Sequence, residues 1–246
     1  MERFSGKVVI VTGGASGIGL ATAQRFASEQ AMVVIADRNS AKADAAAQQL
    51  RAAGANGVLA SACDVSVEAQ VEATVDAAMA HFGRLDVVVN NAGLMTFHKL
   101  GELTHEDWQR VLDVDLLGAF YFIKHGFAVM KPGSAVVNVA SIHAVQTSPL
   151  DAPYAAAKAA LLSLTRSAAI EGKGHGIRVN AILPGAIDTP MLWDNPNVKS
   201  GAEQVDPSFV GKAEDVAAAI AFLASNDAAF VQGTTLIVDG GRLARL

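Results

Sequence analysis

The residues with the clearest potential for chemistry in this chain are Tyr154 and Lys158, which lie four positions apart downstream of Ser141. If this segment is helical, both side chains project from the same face of the helix. An ammonium group beside a phenol favours the phenolate, so we expect Lys158 to lower the pKa of Tyr154. Such a tyrosine can take a proton from an alcohol or give one to a carbonyl. Ser141 adds a hydroxyl group that can hydrogen-bond the same oxygen.

The composition is that of a chain with a large apolar core. The 246 residues are 51% hydrophobic and only 17% charged, which indicates a folded α/β domain and not a disordered chain. No apolar run approaches the roughly 18 residues that a membrane-spanning helix needs. The N-terminal residues lack the layout of a signal peptide. We therefore expect a cytoplasmic protein that has no membrane partner.

The charged and metal-binding residues argue against two further classes of partner. The net charge is −5, and Lys and Arg form no cluster, so a nucleic-acid partner is not expected. Cys63 is the only cysteine, and the six histidines show no metal-ligand spacing. We expect Cys63 to be a small buried residue, and we expect no catalytic metal. The predicted partner is a small molecule.

Apolar runs rich in Val and Ile alternate with helical stretches along the chain. Seven runs are predicted as strands, and the longest predicted helix extends from about His105 to Met130. Strands of this composition are buried on both faces, and their alternation with helices indicates right-handed βαβ units. The sequence therefore predicts a single α/β domain over residues 1–246. Its core is a doubly wound parallel seven-stranded sheet with helices on both faces.

The stretch from about Pro184 to Lys212 has no predicted helix or strand, and it holds four of the seven prolines. A loop of that length inside a compact domain is usually functional and often forms a lid. We therefore expect residues 184–212 to form a substrate loop.

The segment Thr12–Gly19 joins the first predicted strand to the first helix. Its glycines allow a tight turn and a close approach of the backbone to a pyrophosphate, and the helix N-terminus supplies N–H groups. The spacing Gly-x-x-x-Gly-x-Gly differs from the commoner dinucleotide fingerprint Gly-x-Gly-x-x-Gly. We expect this turn to bind a dinucleotide through Gly13, Ser16, Gly17, Ile18 and Gly19.

Residues at the ends of the second and third strands bear on the choice of dinucleotide. Asp37 would hydrogen-bond the ribose hydroxyls of NAD and repel the 2′-phosphate of NADP. Arg38 follows it and would favour NADP, but the carboxylate at the strand end meets the phosphate first, so NAD is predicted. Asp64 and Val65 are placed to contact the adenine. Asp64 could equally serve as a helix N-cap.

Together these segments resemble the short-chain dehydrogenase/reductase family over nearly the whole chain. The turn at Thr12–Gly19 matches the family's cofactor motif, and Ser141 with Tyr154-x-x-x-Lys158 matches its catalytic residues. Asn90-Asn91-Ala92-Gly93 resembles a family element beside the cofactor, and Val238-Asp239-Gly240-Gly241 resembles its C-terminal ending. The resemblance implies a Rossmann-type fold. It also implies cofactor contacts from Asn91, Ala92, Gly93, Tyr154, Lys158, Pro184, Gly185, Ile187 and Thr189.

The family resemblance implies reversible hydride transfer between NAD and a carbon that bears oxygen. Tyr154 would exchange the proton, Lys158 would lower its pKa and hold the nicotinamide ribose, and Ser141 would orient the substrate oxygen. Asp115 departs from the family pattern, which usually has Asn at this place in a water-linked proton path. An ionised Asp would attract a buried cation. Asp115 is therefore predicted as a supporting catalytic residue that alters the pH optimum.

Substrate contacts are expected from the segments that follow the fourth, fifth and sixth strands. The candidates are Met95, His143, Gln146 and Trp193. Ser-x-His at Ser141–His143 is similar to some sugar dehydrogenases of the family, such as bacterial glucose dehydrogenases, and Trp193 could stack on a polyol. A sugar or polyol oxidised to a ketone or lactone is the leading prediction. His143 could equally be a polar loop residue, and a small hydrophobic ketone or secondary alcohol could equally be the substrate.

Two other functions are alternatives at this level. A carrier-linked 3-ketoacyl reductase would prefer NADP and would have a basic face that docks the carrier protein. Asp37 argues against the first feature, and the net charge of −5 argues against the second. A non-catalytic NAD sensor or scaffold could use the same fold. The intact Ser141, Tyr154 and Lys158 argue against a sensor, whereas Asp115 favours one. The resemblance further implies a homotetramer.

Overall fold

Seven parallel strands form one sheet with the order β3-β2-β1-β4-β5-β6-β7. The computed structural model describes residues 2–201 and 204–244. The central strands are buried along their whole length, as expected of runs of Val and Ile in a sheet covered on both faces. The strands are Val8–Thr12 (β1), Met32–Asp37 (β2), Val58–Ala62 (β3), Val87–Asn90 (β4), Ala135–Val139 (β5), Arg178–Pro184 (β6) and Thr235–Val238 (β7).

Helices cover both faces of the sheet, which confirms the predicted doubly wound fold. One face packs against α1, α2 and α9, and the other against α3, α5 and α6. No helix within the described residues is long and apolar enough to cross a membrane. The helices are Gly17–Ser28 (α1), Ser40–Ala52 (α2), Glu68–Phe82 (α3), His105–Leu112 (α4), Gly118–Val129 (α5), Ala152–Gly174 (α6), Pro190–Trp193 (α7), Pro196–Lys199 (α8) and Ala213–Ala224 (α9).

The predicted long helical stretch from about His105 to Met130 is confirmed, and it contains one widened turn. A π-helical turn, Asp113–Leu117, separates α4 from α5. No Gly or Pro lies within this turn to signal the widening in the sequence. Such widened turns occur frequently at functional sites. This turn carries Asp115, which is almost fully buried.

The segment 184–212 contains short helices where no regular structure was predicted. The helices α7 and α8 follow β6, and a bridge pairs Ile187 with Gly211 near the two ends of the segment. Residues 202 and 203 of this segment lie outside the described part of the chain. The segment starts at the carboxyl end of β6, where ligands of doubly wound sheets bind.

A buried polar network holds the helix with Tyr154 against the strand that leads to Ser141. The Asn90 side-chain amide donates to Asn138 Oδ1 at 2.8 Å, and the Asn138 amide donates to Thr165 Oγ1 at 2.9 Å. Asn138 and Thr165 belong to β5 and α6. Because an unpaired buried polar group is costly, the network strongly favours one register between these two elements.

Candidate active site

A cavity of about 440 Å³ lies at the carboxyl ends of the strands. This is the ligand position expected for a doubly wound sheet, and the size suits a small-molecule site. All the predicted cofactor residues except Gly19 line it, together with Ser141. Gly19 lies beneath the glycine turn, where a Cβ atom would overlap the carbonyl oxygen of Gly13. Gly19 therefore allows close packing of the turn, and its predicted contact with the cofactor stays a prediction.

The glycine turn fits a dinucleotide pyrophosphate. Gly13 and Gly17 adopt φ angles of 60° and 51°, in the left-handed region that side chains disfavour. A Cβ atom on Gly17 would lie 3.2 Å from Cγ2 of Thr189, which is tighter than an ordinary van der Waals contact. The helix α1 begins at Gly17, and Ser16 makes no side-chain capping hydrogen bond to it. The first N–H groups of such a helix favour an anion.

Asp37 lies at the predicted position beside the cavity. Its carboxylate accepts hydrogen bonds from the backbone N–H of Ala15 at 3.3 Å and of Asn39 at 3.0 Å. Arg38 and Lys42 line the same end of the cavity. A carboxylate and two cations therefore lie at one end of the cavity.

Asp64 and Val65 also line this end of the cavity. Asp64 Oδ1 accepts from the N–H and the hydroxyl group of Ser66, at 3.0 and 2.6 Å. The N-cap of α3 is Val67, so the alternative that Asp64 caps a helix is wrong. Asp64 instead closes a local turn, because its short side chain reaches the backbone two residues ahead.

Thr12 and Asn91 join the glycine turn to the segment after β4. The Thr12 hydroxyl accepts from the N–H groups of Asn91 and Ala92, each at 2.9 Å. The Asn91 side-chain amide donates to the Thr12 carbonyl at 2.9 Å. These bonds hold the two loops that border the cofactor end as one unit.

Tyr154 and Lys158 lie on one face of α6, as their spacing predicts, and both are buried. Burial raises the pKa of Tyr154, and the charge of Lys158 and a hydrogen bond with Ser141 only partly offset this. The net direction is thus opposite to the prediction from sequence. The reason is that the spacing of two residues reports their proximity but not the desolvation that tertiary packing imposes.

Asp115 and Lys158 form a buried ion pair, with Oδ2 and Nζ 3.1 Å apart. Asp115 Oδ1 accepts from the N–H of Leu94 at 2.9 Å, and Lys158 Nζ donates to the Val139 carbonyl at 3.1 Å. Burial disfavours the charged amine, but Asp115 and Tyr154 together hold the pKa of Lys158 above its ordinary value. For Asp115, burial disfavours the charged carboxylate and so raises its pKa, and the positive charge of Lys158 only partly offsets this.

Gly93 lies directly against this ion pair. A Cβ atom there would come 2.8 Å from Asp115 Oδ2 and 3.3 Å from Lys158 Nζ. A side chain at this position would therefore displace the carboxylate or the ammonium. Asp115 itself lies behind the cavity wall, so it acts on the site through Lys158.

Two of the four predicted substrate residues, Met95 and His143, line the cavity. Gln146 is exposed and does not line it. Trp193 is also outside the lining, 46% exposed, and its indole N–H donates to Asp188 Oδ1 at 2.7 Å. The contacts of Gln146 and Trp193 with substrate stay predictions.

Several residues that line the cavity or contact its lining were not predicted from the sequence. Asp151 lies at the N-terminus of α6, with its Oδ2 3.6 Å from His143 Nδ1, and is fully buried. An acidic residue three positions before the tyrosine was the available signal. Lys42, Asn195 and Arg242 also line the cavity. They were missed because only the folded chain brings these distant segments to one opening.

The chain is similar in sequence to known oxidoreductases. A family model described as enoyl-(acyl carrier protein) reductase matches residues 13–242. A 3beta-hydroxysteroid dehydrogenase from Eggerthella lenta is 42% identical over 98% of this chain and 95% of its own length. The chain belongs to the short-chain dehydrogenase/reductase family. It is therefore an oxidoreductase of that family, as Ser141, Tyr154 and Lys158 predicted.

Other members of the family show the same extent of similarity. Cis-4-hydroxycyclohexanecarboxylate dehydrogenase from Sinomonas cyclohexanicum is 44% identical over 99% of both chains. Glucose 1-dehydrogenase 2 from Bacillus subtilis is 38% identical over 98% of this chain and 96% of its own.

Solved structures of the family share this fold. The crystal structure of levodione reductase has a TM-score of 0.92 and 39% identity over 99% of this chain and all of its own. A short-chain dehydrogenase from Burkholderia cenocepacia, solved in complex with NADP, has a TM-score of 0.90 and 33% identity over 97% and 98% of the two chains.

Proposed function

We propose that this protein interconverts a secondary alcohol and its ketone by hydride transfer with NAD. The observation that carries the proposal is the convergence of Ser141, Tyr154 and Lys158 in the cavity that also holds the glycine turn. Relatives named for dehydrogenation of a hydroxysteroid and of a hydroxycyclohexanecarboxylate support this reaction class.

Each of these side chains has a distinct task in the proposed reaction. Tyr154 takes the hydroxyl proton in oxidation and returns it to the carbonyl oxygen in reduction. Ser141 hydrogen-bonds the same oxygen and sets its orientation. Lys158 supplies the positive charge that stabilises the Tyr154 phenolate. When bound at the turn containing Gly13 and Gly17, the nicotinamide cofactor supplies the hydride acceptor or donor.

The preference for NAD over NADP rests on Asp37. Its carboxylate is held beside the cavity by two backbone N–H groups and would repel a 2′-phosphate. Arg38 and Lys42 would act in the opposite direction, and one relative was solved with NADP. Calorimetric titration with both cofactors tests the proposal, and tighter binding of NADP would refute this preference.

We infer that the substrate is a ring compound with a secondary alcohol. Much of the cavity wall near Tyr154 is apolar, with contributions from Leu94, Met95, Ile142, Met191 and Leu192. Such a wall suits an apolar ring, whereas the likeness to a glucose dehydrogenase supports the predicted sugar or polyol. The segment 184–212 supplies Met191 and Leu192, in keeping with its proposed role as a substrate loop.

A spectrophotometric assay at 340 nm tests the proposed function. The panel contains sugars, polyols, cyclohexanols, hydroxysteroids and hydroxy acids with NAD or NADP, at pH 7 to 10. Turnover of one class supports the proposal and identifies the substrate group. Cofactor binding without turnover of any class would instead support a sensor or scaffold.

The assembly and location are also proposals. Phe120, Ile170 and Ile237 are large apolar side chains on α5, α6 and β7 with 40%, 77% and 49% exposure, which supports burial of these elements in a homotetramer. Light scattering during gel filtration tests the tetramer, and a monomeric mass would refute it. Cytoplasmic location stays a prediction, and cell fractionation tests it.

A further inference from the structure

A buried carboxylate lies against a histidine at the substrate end of the cavity. The Asp151 side chain is fully buried, and its Oδ2 lies 3.6 Å from Nδ1 of His143. The same nitrogen is 3.3 Å from the hydroxyl oxygen of Thr147. Because Nδ1 faces Asp151 and Thr147, the orientation of the imidazole ring is set from that edge. The other ring nitrogen, Nε2, lies on the far side of the ring.

The chain makes a sharp turn to place this carboxylate. Leu150 adopts a φ of 73°, an uncommon conformation for a residue that is not glycine. The side-chain amide of Asn197 donates to the Pro149 carbonyl at 3.1 Å and ties this turn to α8. Burying a carboxylate is costly unless other groups compensate. Asp151 lies at the N-cap of α6, where the helix dipole favours a negative charge, and next to His143. The turn therefore places the carboxylate beside the imidazole of His143.

His143 also lies close to the reacting centre. Its ring contacts the ring of Tyr154 edge-on, with centroids 5.9 Å apart. Its backbone N–H donates to Ser141 Oγ at 3.2 Å. The imidazole lines the cavity beside apolar residues such as Met95 and Ile142. In a pocket of this kind a few polar groups fix the orientation of the ligand.

We infer that His143, oriented by Asp151, determines specificity by hydrogen-bonding a second oxygen of the substrate, close to the carbon that is oxidised or reduced. The substrate class is a secondary alcohol that carries a nearby hydroxyl, keto or carboxylate group. Ser141 and Tyr154 bind the reacting oxygen, so the second oxygen is bound by a separate group. Asp151 is a positioning residue that acts through His143. This inference rests on the proposed function.

The test compares three substrates that share one ring: cyclohexanol, cyclohexane-1,2-diol and 2-hydroxycyclohexanecarboxylate. The readout is the kcat/KM of each of the two substrates with a second oxygen-bearing group, divided by the kcat/KM of cyclohexanol. We expect this ratio to exceed one in the unaltered protein and to fall about tenfold in His143→Leu, the effect of one lost hydrogen bond to substrate. His143→Gln, which keeps a donor, should retain part of the ratio. Val145→Ala, an exposed change in the same turn, serves as the control.

A double-mutant cycle tests the part played by Asp151. Asp151→Asn should lower the same ratio, and the double variant with His143→Leu should lose no more than His143→Leu alone. Losses that add would overturn the action of Asp151 through His143. The substrate whose ratio falls identifies the second group as hydroxyl or carboxylate.

The failure of this inference differs from the failure of the proposed function. Turnover of cyclohexanol with ratios that do not change in either His143 variant would overturn the inference and leave the proposed function intact. Absence of turnover with every alcohol of the 340 nm panel, these three included, would overturn both.

Discussion

The carboxylate of Asp115 lies 3.1 Å from the ammonium of Lys158, and neither group has appreciable contact with solvent. Lys158 in turn lies 5.5 Å from the centre of the Tyr154 ring. The negative charge of Asp115 raises the pKa values of both Lys158 and Tyr154. A single carboxylate behind the cavity wall therefore opposes the stabilisation of the phenolate.

Asp115→Asn should move alcohol oxidation to lower pH. Oxidation requires the Tyr154 phenolate, so its rate rises with pH through the pKa of Tyr154. Removing the carboxylate charge lowers that pKa, and the rising limb of the profile shifts in the same direction. The measurement is kcat/KM between pH 6 and 11. Asp113→Asn, which removes a charge from the same turn outside the cavity, should leave the profile in place. A shift to higher pH would contradict the assignment.

Tyr154→Phe should abolish most turnover without abolishing cofactor binding. Removing the phenolic oxygen removes proton transfer, which contributes about 10²- to 10⁴-fold to rate. Steady-state kinetics measure the loss, and calorimetry measures cofactor affinity. Tyr121→Phe makes the same chemical change on α5, outside the residues that line the cavity. Equal activity in the two variants would show that Tyr154 is not the proton carrier.

Asp37→Ser should weaken discrimination against NADP. The carboxylate at the end of β2 would repel a 2′-phosphate, so its removal should reduce the ratio of the NADP Kd to the NAD Kd by about tenfold or more. Asp44→Ser removes the same charge from an exposed position on α2 and controls for net charge. If the ratio is the same in both variants, Asp37 does not select the cofactor.

Asn138→Ala should destabilise the fold markedly. The buried Asn90 amide would lose its 2.8 Å acceptor and keep only a 3.5 Å contact with the Ala119 carbonyl. The Thr165 hydroxyl would keep its bond to the Leu161 carbonyl but lose its donor. We expect a loss of about 1–3 kcal/mol in total.

Urea denaturation measures the free energy of unfolding. Asn56→Ala, at an exposed hydrogen bond to Gln30, should change it by no more than about 0.5 kcal/mol. If both variants change the free energy of unfolding by a similar amount, the Asn90–Asn138–Thr165 network does not hold α6 against the sheet.

Local patterns in the sequence were sufficient to predict the sheet, the glycine turn and the positions of Ser141, Tyr154 and Lys158. Apolar runs report burial on both faces of a strand, and a spacing of four reports a shared helix face. These properties depend on neighbours in the chain, and the structure confirms the fold they predict. The sequence also identified Asp115 as a departure from the family pattern.

The environment of these residues depends on segments that are distant in the chain. Burial raises the pKa of Tyr154, although its spacing from Lys158 predicts the reverse. The ion pair of Asp115 with Lys158 likewise joins two separate helical elements. Desolvation and charge proximity depend on the three-dimensional position of every neighbour. The sequence thus identifies which side chains can carry the chemistry. Their surroundings in the folded chain set the pKa values of these side chains and the groups that face the substrate.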